Sequence, residues 1–193
     1  SAPSGPTALF AVGLFLLTLF VLTIVYKDML ERGLVQVYTG QGKGKTTAAL
    51  GQALRAAGHG AKVLIYQFLK PAELAVGERS FLTAGTIEGI TLRTLDEPWD
   101  MFESMGDEEA IQRVRKAISE ALKELETAAH EKYYDVIVLD EIVFCLAHNL
   151  ASMDDVRCLI ENRDPHVELI LTGRGAPQEL IDMADLVTEM RSI

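Results

Sequence analysis

The residues most able to do chemistry are the eight at positions 40–47, Gly40-Gln41-Gly42-Lys43-Gly44-Lys45-Thr46-Thr47, which follow the apolar run 34–38. Glycines allow a tight turn whose backbone N–H groups point inward, and a helix beginning there turns its positive dipole end toward an anion. Lys45, expected on an exposed loop, adds positive charge, and Thr46 can offer a hydroxyl to Mg²⁺. Gly40 and Gly44 enclose three residues, one fewer than in the standard phosphate loop. The segment predicts a nucleotide phosphate site with a tighter loop, rather than a glycine-rich turn containing a chance lysine.

A second polar pair follows the apolar run 136–139, where Asp140 and Glu141 stand together. A carboxylate at the carboxyl end of a strand beside a phosphate-loop strand can reach the magnesium on the phosphates. We therefore predict that Thr46, Asp140 and Glu141 bind the metal, with Asp140 acting either directly or behind the other ligands.

Apolar runs alternate with amphipathic segments along the rest of the chain, which predicts an α/β fold. We expect a doubly wound, mostly parallel sheet with helices on both faces. Polar clusters that end its strands, such as Gln67-Phe68 and Thr172-Gly173-Arg174, then meet at one edge, where such sheets bind ligands. The predicted strands cover 34–38, 62–68, 90–94, 135–139, 167–171 and 186–190, the predicted helices 46–57, 107–132, 153–163 and 178–184, and the predicted long loops 71–89 and 95–106.

The composition narrows the class of ligand. The chain has 193 residues and a formal net charge of −10, which argues against a nucleic-acid groove built from clustered Lys and Arg. An anionic ligand must instead be held by a local site. The two cysteines form no disulfide framework and no metal-binding spacing, which is typical of a reducing compartment.

The first 26 residues contain no charged side chain, and 8–26 are almost unbroken apolar sequence. A helix over this run would be about 28 Å long, close to the ~30 Å core of a bilayer. We predict an apolar N-terminal helix over 1–30, ahead of a nucleotide-binding domain over 31–193. The helix is interpreted as membrane-spanning, as buried or partner-covered, or as a fused segment. Because Lys27 and Arg32 follow the run, the domain is predicted to be cytoplasmic, with 8–26 as its membrane anchor.

Residues 31–190 resemble the P-loop type of ATP:corrinoid adenosyltransferase. The short loop at 40–47 is that family's own variant, and Gln67-Phe68-Leu69-Lys70 and Thr172-Gly173-Arg174 match its motifs. Among the departures from the family pattern, the apolar segment before residue 31 stands where the family usually has a polar one, and Asp96-Glu97-Pro98-Trp99 stands where it usually has Gly-Phe-Thr-Trp. The remaining matches lie at 31–39, 48–51, 54–56, 58–60, 77–79, 139–141, 171, 175 and 184–190.

The resemblance implies transfer of the 5′-deoxyadenosyl group of ATP to the reduced cobalt of a corrinoid, with release of triphosphate. Cobalt(I) would be the nucleophile, so the protein needs to orient the substrates and stabilise the leaving group. Lys43 and Lys45, the loop amides and Mg²⁺ would stabilise it, and Glu141 completes the predicted catalytic set.

The resemblance also implies a set of residues that bind ATP or the corrinoid. Arg174 is expected to contact phosphate or corrinoid, and Arg55 either does so or forms a structural ion pair. Trp99 is expected to pack against the corrin face or to anchor its loop. The full predicted set is Thr39, Gly40, Gln41, Gly42, Lys43, Gly44, Lys45, Thr46, Thr47, Arg55, Gln67, Phe68, Trp99 and Arg174.

Two other functions fit the same residues. A P-loop ATPase or small-molecule kinase would use Glu141 as its base, and a nucleotide-dependent corrinoid-binding protein would bind without catalysis. The predicted partners are the small molecules ATP and corrinoid, a second copy of the chain in a homodimer, and a reductase or corrinoid-acceptor protein.

Overall fold

A computed structural model describes residues 32–70, 77–83, 87–100 and 104–193. The predicted N-terminal helix over 1–30, with its apolar run 8–26, lies outside these residues, and so does the division of the chain at residue 30. In the part that the structure describes, no helix has the length and apolar character needed to cross a membrane.

Within the described ranges, six parallel strands form a single sheet in the order β3-β2-β4-β5-β1-β6. All six predicted strands are confirmed to within two residues at either end. β2 and β4 are buried along their whole length, as expected for apolar strands covered on both faces. The strands are β1 (Val35–Thr39), β2 (Val63–Gln67), β3 (Ile90–Thr94), β4 (Val136–Asp140), β5 (Glu168–Thr172) and β6 (Leu186–Glu189).

The four predicted helices are confirmed, and the structure adds two short ones. One of these, at 77–83, lies in a segment predicted as loop. Both are shorter than two full amphipathic turns, so no periodic pattern reveals them. The helices are α1 (Lys45–Gly58), α2 (Gly77–Thr83), α3 (Glu108–His130), α4 (Ile142–Ala147), α5 (Met153–Asn162) and α6 (Gln178–Met183), with a 3₁₀ turn at Ser104–Gly106.

Helices cover both faces of the sheet, as predicted. On one face, α1 packs through Ala49 and Ala53, whose small side chains let the helix approach the strands closely. On the other face, α3 and α5 cover the larger part of the core. Asp107 precedes α3, and its carboxylate accepts the N–H groups of Glu109 and Ala110 and so caps the helix.

The strand order corrects one expectation about the site. The acidic strand β4 does not lie beside the phosphate-loop strand β1, because β5 lies between them. Neighbouring strands are about 4.8 Å apart, so the two carboxyl ends are separated by roughly twice that distance. Side chains must therefore bridge the end of β5 to connect the loop to the acidic pair.

Candidate active site

The phosphate loop joins β1 to α1, and its lysine lies underneath it. Gly44 precedes α1 with a φ of 105°. The Lys45 ammonium donates to the carbonyls of Gly40, at 2.7 Å, and Gly42, at 2.6 Å. The Lys45 side chain is therefore buried, 8% exposed, which corrects the expectation that it stands on an exposed loop. Burial and the positive charge of Arg174 lower the pKa of Lys45, while Glu141 acts in the opposite direction.

The loop rests on the end of β6, which is the strand farthest from it in sequence. Gly40 has a φ of 95°, and a Cβ at that position would lie 2.4 Å from the carbonyl oxygen of Met190. Only glycine therefore satisfies both the backbone conformation and the close approach. Sequence reasoning missed Met190 as part of the site. Met190 stands in the matched segment 184–190, but nothing in that segment indicates a contact with the phosphate loop.

Asp140 lies at the centre of a buried hydrogen-bond network below the loop, with 1% of its surface exposed. One carboxylate oxygen accepts the hydroxyls of Thr46, at 2.8 Å, and Thr172, at 2.7 Å. The other accepts the Lys70 ammonium at 2.6 Å and the Gln67 amide at 3.3 Å. Four donors thus surround the carboxylate, and Thr172 provides the bridge across β5 that the strand order requires.

Glu141 adopts a different position from its neighbour because the backbone turns sharply between them. Its φ is 70°, a conformation that residues other than glycine adopt uncommonly and that clusters at functional sites. Its N–H donates to the Thr172 hydroxyl at 3.0 Å, which holds this turn. Burial raises the pKa of Glu141, and the negative charge of Asp140 adds to that effect.

Helix α2, which the sequence analysis treated as loop, fastens the outer side of this network. Arg79 is 9% exposed, and its Nε donates to the Gln67 side-chain oxygen at 2.9 Å. The Arg79 guanidinium also donates to the Lys70 carbonyl. Glu78 accepts the Gln67 amide at 3.3 Å and lies 3.9 Å from the Lys70 ammonium. The end of β2 is therefore held in place by side chains of α2.

A cavity of about 440 Å³ opens above the loop and the acidic pair. Among the residues that the structure describes, four cationic side chains and one acidic side chain line it. The chain as a whole carries −10, so the positive character of the cavity is a local property, as the composition indicated. Its lining consists of Gly42, Lys43, Gly44, Lys45, Thr46, Thr47, Leu69, Lys70, Glu141, Phe144 and Arg174.

The residues at the cavity floor are suited to Mg²⁺ that arrives with phosphate. Among the residues that the structure describes, no three His, Cys, Asp or Glu side chains are grouped to hold a metal alone. Mg²⁺ commonly binds one or two carboxylates and completes its shell with phosphate oxygens and water. The Thr46 hydroxyl directs its hydrogen to Asp140, which leaves its oxygen lone pairs for a metal, and Glu141 adds a carboxylate that lines the cavity.

The structure brings half of the predicted site residues to this cavity. The predicted residues absent from its lining are Thr39, Gly40, Gln41, Arg55, Gln67, Phe68, Trp99 and Asp140. Sequence reasoning missed three lining residues, Leu69, Lys70 and Phe144. Leu69 and Lys70 stand in the matched segment 67–70, so their signal was present. Phe144 lies on α4, a helix that no periodic pattern revealed.

Some of the predicted residues have other surroundings. Phe68 is fully buried in the larger core, and the Thr39 hydroxyl accepts the N–H of Ala176 at 3.2 Å. Arg55 is exposed in the last turn of α1, about 15 Å along the helix axis from Lys45. Trp99 is 6% exposed within the core, and among the described residues its indole N–H has no hydrogen-bond partner.

Comparison with known proteins points to one family. The family model described as ATP:corrinoid adenosyltransferase BtuR/CobO/CobP matches residues 31–193. The corrinoid adenosyltransferase CobA of Salmonella typhimurium strain LT2 is 34% identical over 163 residues, which cover 84% of this chain and 79% of that protein.

Two further relatives agree. The corrinoid adenosyltransferase of Escherichia coli strain K12 is also 34% identical over 163 residues, which cover 84% of this chain and 79% of that protein. A corrinoid adenosyltransferase of Sinorhizobium is 35% identical over 175 residues, with 84% of this chain and 74% of that protein covered. This chain belongs to the ATP:corrinoid adenosyltransferase family.

Proposed function

We propose that this protein transfers the 5′-deoxyadenosyl group of ATP to the reduced cobalt of a corrinoid and releases triphosphate from the cavity above the phosphate loop. The observation that carries the proposal is the set of four cations, Lys43, Lys45, Lys70 and Arg174, around one cavity in a strongly acidic chain. Triphosphate is the most highly charged product of the reaction, so positive charge concentrated around it stabilises it as the leaving group while the C5′–oxygen bond breaks.

The reaction makes modest demands on acid–base groups. Cobalt(I) supplies the electron pair that forms the cobalt–carbon bond at C5′, and the C5′–oxygen bond breaks with its electrons passing to triphosphate. No hydroxyl or water has to lose a proton to become the nucleophile. The protein's contribution is therefore orientation of ATP and electrostatic stabilisation of the leaving group by Lys43 and Lys45.

Mg²⁺ is proposed to bind Thr46 and Glu141 together with phosphate oxygens, where it would neutralise part of the triphosphate charge. The four donors around Asp140 support a positioning role for that residue, which orients the Thr46 hydroxyl rather than binding the metal. Glu141→Gln should then weaken ATP binding in the presence of Mg²⁺ about tenfold or more, yet change binding in EDTA little. If ATP binding were weakened equally with Mg²⁺ and with EDTA, Glu141 would not be a metal ligand.

One assay separates the proposed reaction from its rivals. The protein is incubated with ATP and chemically reduced cobalamin, and the phosphate products are resolved by chromatography. Triphosphate together with light-sensitive adenosylcobalamin is the expected result. ADP would instead indicate the ATPase or kinase. Tight binding of the corrinoid in the presence of ATP, without either product, would indicate the non-catalytic corrinoid-binding protein.

Trp99 is proposed to border the corrinoid. Its buried indole N–H without a partner among the described residues supports this role, because a bound ligand could supply the missing acceptor. The rival role, anchoring of the loop, is supported by its place in the core. Trp99→Phe keeps an aromatic ring there. If Trp99 contacts the corrinoid, this variant should slow adenosylation and change the absorption spectrum of bound cob(II)alamin, with little loss of thermal stability.

The first 30 residues are proposed to attach a cytoplasmic catalytic domain to a membrane through the apolar run 8–26. The proposal rests on the sequence. Deletion of 1–26 should move the protein from the membrane to the supernatant fraction and leave ATP binding intact.

We also propose that the protein forms a homodimer and that a reductase or corrinoid-acceptor protein docks on it. Sedimentation tests the homodimer, and pull-down with a candidate reductase tests the docking.

A further inference from the structure

Lys70 occupies a fixed position beside the acidic pair although it lies outside the phosphate loop. Leu69 turns the chain with a φ of 53°, and the Lys70 carbonyl accepts the Arg79 guanidinium. From that anchored backbone the side chain, 17% exposed, reaches Asp140 at 2.6 Å. Because Lys70 is held at both its carbonyl and its ammonium, its charge has a fixed position beside Asp140.

The contact determines which oxygens remain for a metal. Glu141 lines the cavity and Asp140, the residue before it, is buried outside that lining, and with the Thr46 hydroxyl the two acids would offer three oxygen ligands. Two carboxylates raise the affinity of a protein site for a divalent cation, even without a nucleotide. Lys70 places a positive charge on Oδ2 of Asp140, the oxygen that does not accept from Thr46, so a cation approaching that oxygen meets repulsion and an occupied lone pair.

We propose that Lys70 blocks divalent-metal binding at the acidic pair until the nucleotide brings its own phosphate ligands. This inference rests on the metal site proposed above. With Asp140 held by Lys70, Thr46 and Glu141 remain of the three predicted metal ligands, and two protein ligands are too few to retain Mg²⁺ alone. The metal then enters with ATP, and Asp140 keeps its task of orienting Thr46. Lys70 is in this sense a positioning residue.

Manganese titration of the full chain without nucleotide, followed by electron paramagnetic resonance, tests the proposal. Lys70→Met keeps the length of the side chain and removes its charge. It should bind Mn²⁺ at least about tenfold more tightly than the unmodified protein, because Asp140 becomes available. Lys70→Arg should restore weak binding. The double variant Lys70→Met with Asp140→Asn should lose the gain.

Lys43→Met is the matched control. It removes one positive charge from the lining of the same cavity, but Lys43 is not among the donors to Asp140. Its Mn²⁺ affinity should rise much less than that of Lys70→Met. Equal gains in the two variants would show a general effect of cavity charge and would overturn the specific role of Lys70, as would a Lys70→Met protein that binds Mn²⁺ no more tightly.

A measurement on the unmodified protein keeps the test independent of any folding defect in the variants. Mn²⁺ alone should bind weakly, and addition of ATP should tighten Mn²⁺ binding at least about a hundredfold, as a shared metal–phosphate site requires. Tight Mn²⁺ binding without ATP would overturn the proposal. The Glu141→Gln experiment is separate, so the metal site can hold while the role of Lys70 fails.

Discussion

The backbone N–H of Gly42 donates to the carbonyl of Met190 at 2.7 Å, which fastens the phosphate loop to the end of the last strand. The N–H of Met190 in turn donates to the Thr39 carbonyl at 2.8 Å, so the contact continues the β1–β6 ladder. The loop therefore depends on β6 for its shape as well as on its own glycines.

Replacement of Gly40 should disturb this contact. In Gly40→Ala the new Cβ would meet the Met190 carbonyl at 2.4 Å, and the residue would have to keep a φ of 95°. Strain of this kind is worth about 1–3 kcal/mol. We expect ATP affinity, measured by calorimetry, to fall about tenfold or more.

Gly51→Ala is the control for that variant. Gly51 lies within α1, and a Cβ there would meet nothing within 4 Å. Alanine in a helix interior is favoured over glycine by about 0.5–1 kcal/mol, so the melting temperature should rise slightly and ATP affinity should not change. If both glycine variants lost ATP binding alike, the Met190 contact would not be the cause.

Lys45→Ala should abolish most of the transfer activity. The lost charge lies below the loop and next to the proposed triphosphate, and its removal should raise the barrier by roughly 3–4 kcal/mol, or about 10²–10³ in rate. Single-turnover formation of adenosylcobalamin measures this. Lys43→Ala removes an exposed charge from the same loop and should have a smaller effect. Near-normal turnover of Lys45→Ala would refute the role of Lys45.

Thr172→Val should weaken both the fold and the metal site. The Thr172 hydroxyl donates to Asp140 and accepts the Glu141 N–H, and the side chain is fully buried. In the valine variant the Glu141 N–H loses its acceptor and Asp140 loses one of its four donors, which should lower the free energy of unfolding by about 1–3 kcal/mol. Urea unfolding and Mg²⁺-dependent ATP binding are the measurements. Thr172→Ser keeps the hydroxyl and should retain Mg²⁺-dependent binding, with only the loss of a buried methyl.

Glu168 predicts a pH effect on stability. Burial raises the pKa of Glu168, although its hydrogen bond from Gln36, at 2.5 Å, acts the other way. The folded protein therefore binds this proton more tightly than the unfolded chain, and the associated stability disappears as pH rises through the raised pKa. Glu168→Gln keeps an acceptor and removes the titration. Relative to the unmodified protein, its unfolding free energy should increase from pH 4 to pH 8, and a constant difference would contradict this.

Local sequence was sufficient for the strands, the longer helices and the two chemical motifs. Continuous apolar runs predict buried parallel strands, and the spacing of glycines and lysines at 40–47 predicts a phosphate loop, because both properties depend on residues adjacent in the chain. The helices α2 and α4 were not predicted, because helices of seven and six residues are too short to show a periodic hydrophobic pattern.

Only the tertiary structure decided how the acidic pair is divided. Asp140 turns into a buried network and Glu141 lines the cavity, because Glu141 has a positive φ and Thr172 bridges from β5. The strand order brings Lys70 to the same carboxylate, and β6 brings Met190 to the phosphate loop. The sequence by itself determined which residues carry charge and where strands end. Their partners could not be predicted from it, because hydrogen bonds between distant segments depend on strand order, which local patterns of hydrophobicity do not encode.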